Sequence, residues 1–193
     1  VVGIERSPLM VEAAKIRISH LPNAQVLKGD GRKDLPEGPF EMIFVGGLFM
    51  YLNDSDAVAL LKSLKELLSA EGSIILREST VRTGEFLAKG EYQAIYRNVD
   101  SYQRLFEESE ITCLEVRSNP GYNHMVIAEG LVDFRRKWMP FMAKDSQLLG
   151  FLTWWILRGI TPISFWGLPK ILSRLNIPWP KLQNHFFLLR CPN

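Results

Sequence analysis

Apolar and polar positions change their period several times along the chain. It opens on VVGI, a short β-branched run that reads as a strand. Ser7 can cap a helix and Pro8 suits its first turn. Apolar positions at Met10, Ala13, Ala14 and Ile16 carry that helix to about His20, where LPN stops it. AQVLKGD is a second short strand, LPEGPF a turn, and FEMIFVGG a strong strand with glycines at its carboxyl end. LNDSDAVALLKSLKELLSAEG has the cleanest helical period. Asn53 or Asp54 caps it, Val58, Leu61, Leu64, Leu67 and Leu68 form its apolar stripe, and Gly72 is expected to end it. SIILREST is the next strand. This β-α-β-β-α-β order with short connections predicts a parallel sheet covered by helices.

Beyond residue 80 the pattern is less regular. Tyr92 to Arg97 is polar and dotted with aromatics, and reads as helix or lid. SYQRLFEESE is a helix with Tyr102, Leu105 and Phe106 inward, and ITCLEVRSN is a strand. HFFLLRCPN closes the chain as a last strand. Residues 1–124 with 184–193 are therefore expected to form an α/β core, and residues 125–183 a helical, aromatic-rich insertion or substrate lid. The apolar peak is LLGFLTWWILRGITPISFWGLP, residues 148–169. Arg158 and Pro162 interrupt it, and its uncharged runs fall short of the roughly 20 residues needed to span a bilayer. The first expectation is a buried helical subdomain or a cover over substrate. A membrane-surface or lipid-substrate patch and a subunit interface are the alternatives.

Composition narrows the classes. The 193 residues are 47% hydrophobic and 23% charged, ordinary for one globular α/β unit. A net charge of +2 leaves no strongly basic footprint, so nucleic acid is not an expected partner. Two cysteines, Cys113 and Cys191, and three scattered histidines lack metal-ligand spacing. No metal is expected, and the reduced thiols point to a cytoplasmic protein.

Three successive strand ends carry candidate chemistry. The first ends in Glu5, the second in Asp30 and the third in Gly46-Gly47. Ligands of open parallel sheets bind outside the carboxyl ends of the strands. A carboxylate at one tip can accept hydrogen bonds from a vicinal diol, as in ribose recognition, and one at the neighbouring tip can accept from an exocyclic amine. Glycines at the third tip let a flat ligand approach backbone. Each has a plainer reading: a helix-start carboxylate, an Asp-Gly turn, tight packing. Their order and spacing together favour a nucleoside site.

With VVGIERSPLMVEAA, VLKGDGRKDLP, FEMIFVGGLFMYLND, LKELLSAEGSIILRES and SYQRLFEESEITCLE in this order, residues 1–117 resemble class I S-adenosylmethionine-dependent methyltransferases. HFFLLR resembles the final antiparallel strand of that family. The resemblance implies a Rossmann-like α/β sheet, mostly parallel, and transfer of a methyl group from S-adenosylmethionine to a small-molecule or lipid-like acceptor. It places Glu5 on the cofactor ribose, flanked by Arg6, Ser7 and Met10, with Met10 against the adenine. It places Asp30, with Gly31 and Arg32, on the adenine amine, and Gly46, Gly47 and Leu48 along the methionine part. Tyr51 stands where many members carry a histidine, so no histidine base is expected there. The family's first strand and glycine-rich loop should precede Val1, and the chain is therefore expected to be incomplete at its N-terminus.

Methyl transfer from a sulfonium needs alignment and water exclusion more than a built-in base. The polar candidates near the expected mouth are Tyr51, Glu78, Arg82, Tyr92, Tyr96, Arg97, Tyr122 and His124. Tyr51, Glu78, Tyr96 and His124 are the leading catalytic candidates. Glu78 can hold a substrate amine or hydroxyl, or serve as a cap or ion-pair partner. Arg97 can neutralise a substrate acid or lie solvated, and His124 can act as general base. The rival readings are methylation of protein or RNA, a nicotinamide-dependent oxidoreductase using Glu5 on its ribose, and an inactive methyltransferase-like binding subunit.

Overall fold

The structure, a computed structural model, describes residues 1–88, 93–119, 121–138, 147–177 and 179–191. Strand β1 (Val2–Glu5) leads through helix α1 (Pro8–Ile18) to β2 (Gln25–Lys28), and the two strands pair in parallel from Val2–Gln25 to Glu5–Lys28. Ser7 caps α1 by accepting from the Met10 amide, with Pro8 in the first turn. Strand β3 (Phe40–Gly46) is followed by a 3₁₀ turn (Phe49–Tyr51), helix α2 (Asp54–Glu66) and β4 (Leu68–Thr80), again parallel to its predecessor. Strand β8 (Gln183–Arg190) runs antiparallel to β4, and β7 (Thr112–Ser118) antiparallel to β8. The larger sheet thus has the order β3-β4-β8-β7, with helix α3 (Val99–Glu108) leading into β7. This is a Rossmann-like mixed sheet, a parallel core with the antiparallel last strand, and a helical insertion precedes that strand.

The β1–β2 pair is not joined to the larger sheet. Among the described residues, one edge of β1 and one edge of β3 lack a partner, and both strands line the same groove. The core lies on the larger sheet. Leu61 and Leu64 of α2, Tyr102 and Phe106 of α3, Leu76 of β4, and Phe187 and Leu189 of β8 are buried together. The Phe187 ring stands 5.2 Å from that of Tyr102 and 5.4 Å from that of Phe106. Tyr102, Leu105 and Phe106 face inward, as the helical period of α3 requires.

Two local expectations are corrected, and one alternative is settled. Helix α2 stops at Glu66, and residues 68–72 already belong to β4. Gly72 does not end a helix. A Cβ there would lie 2.7 Å from the Phe40 carbonyl oxygen, so its glycine permits close approach of β3 and β4. Asn53 is the cap of α2, accepting from the Asp56 amide at 2.8 Å. The Tyr92–Arg97 stretch is neither helix nor lid where it is described. Strand β5 (Glu85–Ala88) pairs antiparallel with β6 (Ala94–Arg97), while Tyr92 lies outside the described residues.

The insertion comprises α4 (Tyr122–Trp138), α5 (Gln147–Pro162), a π-helical turn (Ile163–Gly167) and α6 (Leu168–Arg174). Its expected burial is not found. No residue of it joins the hydrophobic core, and Ser164 is its one buried residue among those described. Trp138, Trp154, Trp155 and Trp166 are all exposed, Trp179 is partly covered, and Phe141 lies outside the described residues.

Candidate ligand-binding groove

A groove of about 820 Å³ runs along the gap between β1 and β3, from Val2 and Phe40 to the carboxyl ends of β1, β2 and β3. Glu5 and Arg6 line it from β1, and Asp30, Gly31 and Arg32 from the turn after β2. Gly46, Gly47, Leu48 and Tyr51 line it from the segment after β3. The strand-tip residues singled out in the sequence therefore meet in one place. Ser7 and Met10 do not line it. Ser7 caps α1, and Met10 points outward, 56% exposed.

Each tip has its own geometry. The Ser7 amide donates to Glu5 Oε1 at 2.7 Å, which fixes the carboxylate where the chain turns into α1. Among the described residues Glu5 Oε2 has no hydrogen-bond partner. Asp30 is held more tightly. Arg32 donates to it through Nε, at 2.8 Å to Oδ1, through Nη2 and through its backbone amide. That pairing holds the Asp30 carboxyl well below the usual carboxylate range. An amine approaching Asp30 would have to share it with Arg32. The Asp30 amide donates to Asp34 Oδ2 at 2.8 Å, and a Cβ on Gly29 would lie 2.9 Å from the Asp34 side chain. Gly29 is thus a close-approach glycine that the sequence pattern alone did not mark. At the third tip Gly47 has φ +70°, and its amide donates to the Arg77 carbonyl at 2.9 Å.

Two buried ionisable side chains clamp the backbone just beyond that tip. Glu78, at the end of β4, is fully buried, and its Oε1 accepts from the amides of Leu48 at 3.0 Å and Phe49 at 3.1 Å. Arg97, at the end of β6, is also fully buried. It donates through Nη1 to the Phe49 carbonyl at 3.0 Å and through Nη2 to the Leu52 carbonyl at 2.7 Å. Its Nε and Nη2 also reach Asp54 Oδ1 at 2.9 and 2.7 Å. Glu78 takes the donors and Arg97 the acceptors of one stretch of chain, the stretch that presents Leu48 and Tyr51 to the groove. These placements correct the expectations of a substrate-holding Glu78 and a substrate-neutralising or solvated Arg97. Neither side chain lines the groove; both hold the backbone of the turn beside it.

Burial pushes the Glu78 carboxyl up from 4.5 to about 7, against the lowering effect of the amides of Phe49 and Leu48 and of Arg77. Above pH 4.5 the unfolded chain gives up this proton while the folded chain retains it. The stability that Glu78 contributes is therefore full below 4.5 and declines as pH rises through about 7. The expected size is on the order of 3 kcal/mol. Urea titrations at a series of pH values should show this decline, and Glu78→Gln should remove it. An equal decline in the variant would assign the effect to another group.

The remaining candidates lie elsewhere. Tyr51 is half exposed at the groove. Tyr96 stacks on Phe86 in the β5–β6 hairpin, with ring centroids 6.1 Å apart, and does not line the groove. His124 sits in the first turn of α4, where its Nδ1 shares a 2.8 Å hydrogen bond with Ser164 Oγ and its ring packs on Phe165. It joins α4 to the π-helical turn and is not brought to the groove. Arg82 and Tyr122 line a separate cavity of about 530 Å³, and burial and the neighbouring Glu129 push the Tyr122 phenol upward. No cluster of metal-ligating side chains occurs among the described residues.

Residues 1–72 match a family described as a methyltransferase domain. No curated protein sequence matches the chain. Three solved structures are similar in fold. An O-methyltransferase from a trans-AT PKS multienzyme of Brevibacillus brevis, in complex with S-adenosyl-L-homocysteine, has a TM-score of 0.65 at 13% identity. The match covers 98% of this chain and 58% of that one. A coclaurine N-methyltransferase bound to N-methylheliamine and S-adenosyl-L-homocysteine has a TM-score of 0.65 at 12% identity, over 98% of this chain and 60% of that one. A SAM-dependent methyltransferase of Leishmania major has a TM-score of 0.60 at 15% identity, over 98% and 54%. The chain thus spans 54% to 60% of the length of these structures. The likeness shows the fold: that of class I S-adenosylmethionine-dependent methyltransferases.

Proposed function

We propose that the groove binds S-adenosylmethionine and that the protein transfers its methyl group to a small-molecule or lipid-like acceptor. The observation that carries this reading is the meeting of Glu5, Asp30 and Gly46-Gly47 in one groove at three strand ends. The donor set fits a nucleoside. Glu5 has an acceptor oxygen without a partner among the described residues, Asp30 is anionic, and the positive φ of Gly47 keeps the third wall free of a side chain. The bound cofactor supplies an already activated methyl group.

The chain's own residues then bind and orient. Glu5 accepts from ribose hydroxyls through Oε2 while the Ser7 amide holds Oε1 in place. Asp30 shares its carboxylate between Arg32 and an exocyclic amine. Leu48, whose amide Glu78 accepts, and Tyr51, in the turn that Arg97 holds through the Phe49 and Leu52 carbonyls, form the wall nearest the third strand end and limit access of water. Tyr51 is the catalytic candidate that lines the groove, and it is placed to orient an acceptor hydroxyl or amine. The related folds include enzymes named for O- and N-methylation, which supports a small acceptor. Peripheral membrane contact belongs with a lipid-like acceptor. The free thiols of Cys113 and Cys191 support a cytoplasmic location.

Calorimetric titration of the full chain with S-adenosylmethionine, S-adenosylhomocysteine and NAD tests the assignment. The first two are expected to bind and NAD is not. Binding of NAD alone would move the protein to the oxidoreductases, and binding of none of the three would favour an inactive subunit.

A further inference from the structure

We propose that the exposed helical stretch from Leu148 to Arg174 docks the protein onto an anionic membrane surface. This inference is independent of the reaction assigned to the groove. The stretch is a continuous 27-residue helical run, long and apolar enough by composition to cross a membrane, and almost none of it is buried. Leu149, Thr153, Leu157 and Ile160, spaced four, four and three residues apart, form its partly covered stripe, and α5 packs on α4. On the opposite side Leu148, Phe151, Trp155 and Arg158 recur at steps of three and four residues, all exposed. Trp154, Trp155 and Trp166 are 49%, 51% and 69% exposed. A helix with bulky apolar side chains on its open face as well as its covered one belongs in a core or at lipid, and here no core covers the open face.

Charge selects the occupant. Residues 147–177 contain Arg158, Lys170 and Arg174 and no aspartate or glutamate. Arg158 lies over the rings of Trp154 and Trp155, at 5.1 and 5.7 Å from their centroids. Cations beside exposed tryptophans match the headgroup level of a bilayer, where the rings enter the interface and the charges meet anionic lipid. Two-fold pairing of this face with a second copy would set like charges against each other. Residues 148–157 and 159–169 are the uncharged runs either side of Arg158, and each is too short to span the hydrocarbon core of about 30 Å. The helices are therefore assigned to the surface of the membrane rather than across it.

Flotation of the full chain with lipid vesicles tests this. Binding to phosphatidylcholine vesicles with about one-third phosphatidylglycerol is expected to exceed binding to pure phosphatidylcholine by at least about tenfold. Replacing Trp154, Trp155 and Trp166 together by serine should abolish co-flotation. The thermal melt should be unchanged, because these side chains are exposed. The triple variant Arg158→Glu, Lys170→Glu, Arg174→Glu should lose the preference for the anionic vesicles. Flotation with neither vesicle would overturn the proposal. So would self-association in sedimentation that the tryptophan variant abolishes, which would assign the face to a second copy. Vesicle-bound protein that resists alkaline extraction would overturn the surface placement.

Discussion

Glu5→Ala is expected to weaken S-adenosylmethionine binding by about a hundredfold. A carboxylate that accepts from a ribose diol makes charge-assisted bonds worth about 1.5–3 kcal/mol each. Two such bonds at the low end of that range sum to about 3 kcal/mol, or roughly a hundredfold in Kd. Oε1 is pre-set by the Ser7 amide, so little of the binding energy goes into orienting the group. Glu5→Gln keeps the shape and one acceptor oxygen and should lose about tenfold. The fold should survive both changes, because Glu5 belongs to neither the hydrophobic core nor, among the described residues, an ion pair. Calorimetry on each variant, beside a circular dichroism spectrum, reads the two effects separately. Unchanged affinity for S-adenosylmethionine in Glu5→Ala would remove the ribose role and with it the nucleoside orientation proposed for the groove.

Arg97→Ala is expected to destabilise the fold by about 4 kcal/mol. The substitution empties the volume of a fully buried guanidinium and leaves the Phe49 and Leu52 carbonyls without their donors. Asp54→Ala should cost less. Its carboxylate is largely exposed, and Arg97 keeps both carbonyls when it is lost. Urea unfolding of the two variants reads the difference. A cost for Arg97→Ala no larger than that for Asp54→Ala would show that the ion pair, not the carbonyl clamp, holds the turn. The clamp also carries a functional consequence, since the same turn presents Tyr51 to the groove.

Apart from the β5–β6 hairpin, whose polar, aromatic-dotted second strand read as helix or lid, the order of strands and helices was legible from local period. VVGI, AQVLK and FEMIFVG alternate or branch as strands do, and α1 and α2 have visible caps at Ser7 and Asn53. The tip residues were legible for the same reason: a strand end in sequence is a strand end in space. Glu78 and Arg97 were not. Their partners lie 29 and 48 residues away in backbone groups that carry no side-chain signature. A glutamate after an apolar strand looks the same in sequence whether it faces a substrate or two buried amides. His124 did not reach the groove because α4 already begins at Tyr122, and its ring turns to Ser164 and Phe165. The exposure of the insertion was invisible in composition, since four tryptophans in apolar surroundings describe a core and a lipid-facing surface equally well.

The division of the sheet bears on how the molecule breathes. Glu5 and Asp30 sit on the β1–α1–β2 unit, and the glycine turn sits on the larger sheet, with no ladder of backbone bonds between the two among the described residues. Backbone amides of β1 and β2 are therefore expected to exchange with deuterium by local opening, well before those of β4 and β8, which open only with the core. A nucleoside held by both sides would act as the mortar between them. At a ligand concentration a hundred times Kd, opening that releases the ligand should become about a hundredfold rarer. Exchange in β1 and β2 should slow accordingly while β4 and β8 change less. Ligand binding in the groove and closure of these two units would then be linked, and exchange rates would report the one through the other.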